Sequence, residues 1–390
     1  MKTASRIAAL SSAVFSQMDS LRQEVSAQGV DVINLGIGSP DRPPAPHVRQ
    51  ALMEALARDD AYGYALSDGL PEFKKAVAQW YQKRFQVQLN PAEEVLSLMG
   101  SQDGLGHIYL AIINPGDVAL IPDPGYPIYT AGLMLAEGKK YAMPLLRENQ
   151  YLPDLEAIPV DIAHKAKMMV LNYPSNPLAA TADLDFFEKA VFFARKYDLV
   201  ILHDVAYSEL AYDGYRPVSF LQVKGAKDVG IELHSVSKSY NLAGCRLGMA
   251  VGNADLLKAL NRIKSNIDYG VFKAVQWAAI AALQGPQDMV QENAMVYQRR
   301  RDLLVNGLAN LGWKMDKPKA SMFVWAPIPS GFDSSFDFAE QMIRQAGVLV
   351  IPGNAFGERG EGYVRIALVV PDERIQEAVQ RIGKVFSFSS

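Results

Sequence analysis

The sequence predicts an α/β protein: a large domain with a mostly parallel sheet covered by helices, plus a smaller α+β domain. Three observations predict it. Short apolar runs alternate with amphipathic stretches over the first two-thirds of the chain, as in sheets buried on both faces. Those runs end in polar residues, and parallel sheets bind ligands beyond the carboxyl ends of their strands. After about Asp268 the pattern changes to long helices with few strands. At roughly 100–200 residues per domain, 390 residues suggest two or three domains.

The elements follow in order. Residues 1–25 read as an amphipathic helix without a signal-peptide cleavage pattern. The extended segment 32–40 is expected to join the C-terminal part. Residues 100–104 (Gly-Ser-Gln-Asp-Gly) open a helix over 105–113. A strand over 117–121 follows the turn Asn114-Pro115-Gly116, and one over 167–171 runs into Asn172-Tyr173-Pro174. A helix over 185–196 precedes a strand over 199–202 that runs into His203-Asp204. The strand 249–251 leads through Gly252-Asn253 to a helix over 254–264. Beyond it, 273–283 and 288–311 read as helices, 321–326 as a strand, 336–346 as a helix and 362–368 as a strand. The expected boundaries are an N-terminal arm belonging partly to the small domain (1–46), the large domain (47–276) and the small C-terminal domain (277–390).

Composition removes several function classes. Hydrophobic residues make up 49% and charged residues 21%, which excludes disorder. Lys and Arg number 39 against 42 acidic residues, so no basic footprint points to nucleic acid or an anionic membrane. No apolar run is long enough to span a bilayer. The single Cys245 excludes an intrachain disulfide and a cysteine zinc cluster. A cytoplasmic protein is expected. His47, His107, His164, His203 and His234 show no paired ligand spacing, so no metal site is expected. The absence of G-x-G-x-x-G argues against a nicotinamide dehydrogenase.

Chemistry concentrates in a few segments. Lys238 sits in Ser235-Val236-Ser237-Lys238, at the end of the run 230–234; its bland reading is a solvated loop lysine. Eight residues on comes Arg246, and two hydroxyls with a guanidinium make a phosphate cup. Asp204 ends a wholly apolar run, where a carboxylate must be paired or serve as a helix cap. Tyr207 follows three residues later. Ser101 and Gln102 open a helix whose free N–H groups suit an anion. Tyr126, in Pro-Asp-Pro-Gly-Tyr-Pro, is held at the ligand edge of the sheet. Pyridoxal phosphate explains the set, because it needs a Schiff-base lysine, an acid at its pyridine nitrogen, a phosphate cup and an aromatic face.

With these residues the chain resembles the fold-type I, class I and II aminotransferases along essentially its whole length. The resemblance implies that Lys238 is the Schiff-base lysine, Asp204 the pyridinium partner, and Tyr207 and Asn176 the partners of the ring 3-oxygen. It implies ring stacking by Tyr126 and a phosphate cup of Ser101, Gln102, Ser235, Ser237 and Arg246. Tyr64 matches a tyrosine that reaches the phosphate of the other subunit, so a homodimer with shared active sites is implied. Arg365 matches the clamp on the substrate α-carboxylate, and Gly38 the backbone that closes over it. Residues 100–117, 122–129, 220–230 and 262–272 look most like LL-diaminopimelate aminotransferases and relatives acting on aspartate, alanine or methionine. Two departures stand out: Asn176-Pro177-Leu178-Ala179 replaces Asn-Pro-Thr-Gly, and Gly244-Cys245-Arg246 replaces Gly-Trp-Arg. The substrates implied are an amino acid and a 2-oxo acid. A carbon–sulfur β-lyase or α-decarboxylase would share the lysine and electron sink, and dependence on a keto acid separates transfer from elimination. A cofactor-sensing transcription regulator would need a DNA-binding domain, for which the segment before residue 30 leaves no room.

Overall fold

A computed structural model of the chain describes residues 4, 6, 7, 10, 13–65 and 67–388. The expected N-terminal helix is seen as α1, Ala13–Ala27; the rest of that segment lies mostly outside the described residues. The central sheet has seven strands: β2 (Val95–Leu98), β3 (Val118–Asp123), β4 (Lys139–Pro144), β5 (Ala166–Asn172), β6 (Val200–Asp204), β7 (Gly230–Ser235) and β8 (Gly248–Gly252). Their order is β2-β8-β7-β6-β5-β3-β4, and every pairing is parallel except the two made by β8. Helices cover the sheet, which explains why β5 and the start of β6 read as continuous apolar runs rather than alternating ones, while the buried Glu232 of β7 is paired with His203 of β6 at 2.9 Å.

The longer helices of this part are α2 (Pro46–Leu56), α3 (Pro71–Phe85), α4 (Ser101–Ile112), α5 (Ile128–Leu135), α6 (Leu184–Tyr197), α7 (Ala254–Lys264) and α8 (Lys273–Gln284), and a single turn, Val236–Ser239, carries Lys238. Local signals fix their ends. Asp183 caps α6 by accepting the Phe186 N–H at 2.9 Å, and Asn253 caps α7 by accepting from Leu256 at 3.0 Å. Losing such a cap costs about 1 kcal/mol. Helix α4 starts at Ser101, four residues before the apolar stretch that suggested it. Gly104 lies inside it because a Cβ there would meet Leu233 Cδ2 at 2.5 Å; the glycine lets the helix approach the sheet closely.

The C-terminal third contains α9 (Asp288–Asn310), α10 (Ser335–Ala346), α11 (Asp372–Val385) and the antiparallel sheet β11-β12-β9. Those strands are β9 (Phe323–Pro327), β11 (Ile351–Pro352) and β12 (Tyr363–Ala367). The N-terminal segment lies here too. Strand β1 (Ile33–Asn34) pairs in parallel with β10 (Val348–Leu349), and the Ala367 N–H donates to Leu35 O at 2.7 Å. That pairing brings the backbone of Gly36–Gly38 beside Arg365 on β12.

Candidate active site

The carboxyl ends of adjacent parallel strands deliver the polar groups. Asn172 and Asp204 end β5 and β6 in register, and Ser235 ends β7 just before the turn that carries Lys238. Tyr126 follows β3, and the first turn of α4 contributes Ser101 and Gln102. Together these ends border a cavity of about 290 Å³. Asp204, Tyr207, Asn176 and Lys238 line it, as do Ser235, Ser237 and Arg246. Ser101, Gln102, Tyr126, Gly38 and Arg365 complete the expected set. Tyr64 alone is absent from the lining: it is 86% exposed, its ring 5.2 Å from that of Tyr269.

The cavity carries a polarity. Asp204 is buried, and its Oδ1 accepts the Ala206 N–H of the turn after β6 at a long 3.4 Å. Tyr129 donates its hydroxyl to Asp204 Oδ2 at 2.8 Å, while the Asn172 amide donates to the Asp204 carbonyl at 2.8 Å. Burial pushes the Asp204 carboxyl above its ordinary range, and the Tyr129 hydroxyl counters that. Tyr129, in the first turn of α5, is the site partner that motif reading overlooked; its signal was the Tyr126-Pro-Ile-Tyr129 spacing, which puts a second tyrosine just behind the first. Elsewhere the lining is rich in donors. Ser235 Oγ donates to Ser237 Oγ at 2.8 Å and accepts the Ser237 N–H at 3.1 Å. The Arg246 guanidinium lies against Gly100, whose φ of 76° and lack of Cβ both matter: a Cβ would meet Arg246 Nη2 at 2.4 Å.

Two cations in the cavity are short of partners. Lys238 Nζ donates to Gly38 O at 2.6 Å, and burial, then Arg365 and Arg246, push its ammonium pKa down to about 8. Arg365 donates to Asn176 Oδ1 at 2.8 Å and Gly36 O at 2.6 Å, and its guanidinium lies 4.3 Å from the Phe323 ring centre. Burial lowers its pKa to about 10. Its Nε is buried with no hydrogen-bond partner, a donor that a carboxylate would satisfy.

The model of the family described as aminotransferase class I and II matches residues 30–382. The chain belongs to this family. Class I and II aminotransferases similar to it include the LL-diaminopimelate aminotransferase of Moorella thermoacetica, 52% identical over 99% of this chain and 98% of the relative. The substrate-bound structure of BacF from Bacillus subtilis superposes with a TM-score of 0.95 at 40% identity, covering 99% of this chain and 98% of that one. A probable N-succinyldiaminopimelate aminotransferase from Thermus thermophilus gives 0.91 at 38% identity, covering 96% and 100%. Aminotransferases of this family use pyridoxal 5′-phosphate, and it is the cofactor of this chain. The donor set fits that group: a depressed-pKa lysine, a buried carboxylate, and hydroxyl, N–H and guanidinium donors in one cavity. Among the described residues no helix is long and apolar enough to cross a membrane.

The departures from the family pattern have structural consequences. Ala179 adopts φ 54°, the left-handed conformation that glycine takes freely and that costs an L-residue roughly 1 kcal/mol. It is held there by its N–H bond to Ser175 O at 3.1 Å. Cys245 is half-buried in the turn before Arg246, and burial raises its thiol pKa.

Proposed function

We propose that this aminotransferase moves the amino group of LL-diaminopimelate to 2-oxoglutarate, as a homodimer with shared active sites. The observation that carries the transfer chemistry is the buried, unpartnered Nε of Arg365 in the same cavity as Lys238 and Asp204. Substrate identity is supported by full-length relatives named LL-diaminopimelate aminotransferase at 50–52% identity.

In this reading each residue has one task. Ser101, Gln102, Ser235, Ser237 and Arg246 would hold the phosphate, and Tyr126 would offer its aromatic face to the ring. Asp204 keeps a proton on the ring nitrogen. The Asn176 amide oxygen is engaged by Arg365, so its Nδ2 donors are free for the ring 3-oxygen, where the Tyr207 hydroxyl joins them. Lys238 would anchor the cofactor through its Nζ and, as a neutral amine, would accept and return the substrate α-proton. Arg365 and the Gly38 backbone hold the substrate α-carboxylate and exclude water above it. When bound, the cofactor supplies the electron sink that lets the α-proton leave. The division at 46/47 and 276/277 belongs to the same proposal: the N-terminal strand pairs with residues 348–349, while the second boundary falls inside α8, which packs on α2 and α3.

An amino-donor screen with 2-oxoglutarate as acceptor tests the substrate. LL-diaminopimelate should show the highest kcat/KM, and a clear preference for aspartate, alanine, methionine or N-succinyl-diaminopimelate overturns it. Arg365→Lys should raise KM at least tenfold for every amino and keto acid, because an ammonium cannot reproduce a planar two-point clamp (about 1.5–3 kcal/mol). An effect confined to dicarboxylic substrates would place Arg365 at the distal end instead.

Shared sites are tested by mixing Lys238→Ala with Tyr64→Ala under subunit exchange. Each mixed dimer would hold one doubly damaged site and one intact site. Roughly a quarter of wild-type activity should return, since half the dimers are mixed and half their sites are whole. The pair Lys238→Ala with Asp204→Ala should restore nothing. No recovery in the first mixture, with exchange demonstrated, assigns Tyr64 to its own subunit.

A further inference from the structure

We propose that Asp103, Lys264 and Asp268, with His107, form a partly buried charge cluster that positions the phosphate-binding turn at the start of α4. The cluster lies beside the cavity wall: Asp103 and His107 border an open depression that Gln102 and Arg246 also line. Lys264 ends α7 with its side chain fully buried, and its ammonium bridges the Asp103 and Asp268 carboxylates. Asp103 Oδ2 also accepts the Met99 N–H at 2.8 Å, and Oδ1 meets His107 Nδ1 at 2.6 Å. One carboxylate therefore ties the residue before Gly100 to the first turn of α4. Between those ties stand Ser101 and Gln102, which line the cavity, and Gly100, which packs on Arg246. On the far side Asp268 Oδ1 accepts the Gly270 N–H at 2.8 Å and so fixes the next loop.

The ligating atoms of Asp103, His107 and Asp268 lie within 4.8 Å of one another, a spacing that would suit a metal ion. Here the ammonium of Lys264 is the cation between the two carboxylates. A buried ion pair is weak evidence for stability, since an apolar replacement of similar volume often serves as well. Its best-attested use is to specify register, and the register specified here is that of α7 against the turn preceding α4. Long-range charge alone would act in the opposite sense, because a carboxylate this near the helix start repels a phosphate. That opposition makes the test decisive.

The proposal rests on the phosphate-cup reading above. Asp103→Asn keeps shape and removes one negative charge. Prepare the holoenzyme, resolve it, and titrate with pyridoxal phosphate and with pyridoxal, which lacks the phosphate, reading bound chromophore by absorbance. The variant should lose at least tenfold in affinity for pyridoxal phosphate and less than twofold for pyridoxal. If both affinities fall together the cluster is merely structural; if pyridoxal phosphate binds as well or tighter, only charge acts; either result overturns the proposal. Should Asp103→Asn not fold, Asp268→Asn at the edge of the cluster must shift the same ratio at least threefold. Arg246→Ala separates the two readings. If it lowers the ratio and the cluster variant does not, the cluster proposal alone falls; if it leaves the ratio unchanged, the cup assignment falls and takes the proposal with it.

Discussion

Lys238→Ala is expected to lower transamination by roughly 10⁴-fold or more, the upper range for removing a positioned acid–base group together with the cofactor's anchor. The protein should still fold. The wild-type ammonium is buried near two guanidinium groups, and its hydrogen bond is to the Gly38 carbonyl, so its removal relieves an unfavourable charge. Pyridoxal phosphate should bind without the lysine-linked absorbance band, and circular dichroism should match wild type. The pH dependence adds a second check. With its pKa at about 8 in the fold, against an ordinary 10.5, Lys238 is half neutral at pH 8, where an exposed lysine is about 0.3% neutral. Covalent capture of the cofactor by the wild-type apoprotein should therefore rise with pH and level off above about 8. Because the unfolded chain binds more protons between those two values, apoprotein stability should increase as pH rises through that window. Lys238→Ala should lack that increase, and activity near wild type in the variant would remove Lys238 from the mechanism.

The sheet and most of the residues that line the cavity were legible because their signals are local. Strands β5 to β7 are buried on both faces and mostly apolar, their interior exceptions, His203 and Glu232, being hydrogen-bonded to each other at 2.9 Å, and Asn172, Asp204 and Ser235 stand at the carboxyl ends. Helix α7 reads directly as 254–264 since Asn253 caps it and its apolar face is regular. Strand β4 gives no such signal: it is an edge strand that begins with two exposed lysines, and exposed edges are protected by charge rather than filled with hydrophobic residues. Strand β2 has four buried residues, too few to separate from noise. The start of α4 was obscured by Gly104, a poor helix former whose reason is close packing on Leu233. Tertiary pairings were invisible for a different reason. Asp103 and Lys264 are 161 residues apart, and nothing in either neighbourhood announces the other. Tyr64, which does not line the cavity of its own chain, could be noticed only through the family resemblance.

Asp204→Asn should slow α-proton abstraction by about three orders of magnitude while weakening cofactor binding much less. The amide keeps the shape of the carboxylate and can still accept the Tyr129 hydroxyl, so packing around β6 is preserved. On the proposed assignment it loses the negative charge that would hold a proton on the ring nitrogen, and with it the full strength of the electron sink. Tyr129 provides an internal calibration. Its hydroxyl donates to Asp204 Oδ2 from a fully buried ring and favours the ionised carboxylate against a burial penalty that raises the pKa. Tyr129→Phe removes that one hydrogen bond to a charged group, about 1.5–3 kcal/mol, and should cost roughly ten- to a hundredfold in the same step. The ordering matters more than either number. Single-turnover decay of the cofactor absorbance with α-deuterated and ordinary substrate should show a larger isotope effect in both variants, with Asp204→Asn slower than Tyr129→Phe. If Asp204→Asn turns over at the wild-type rate, the carboxylate is a structural residue at the strand end and the ring nitrogen is served by another group.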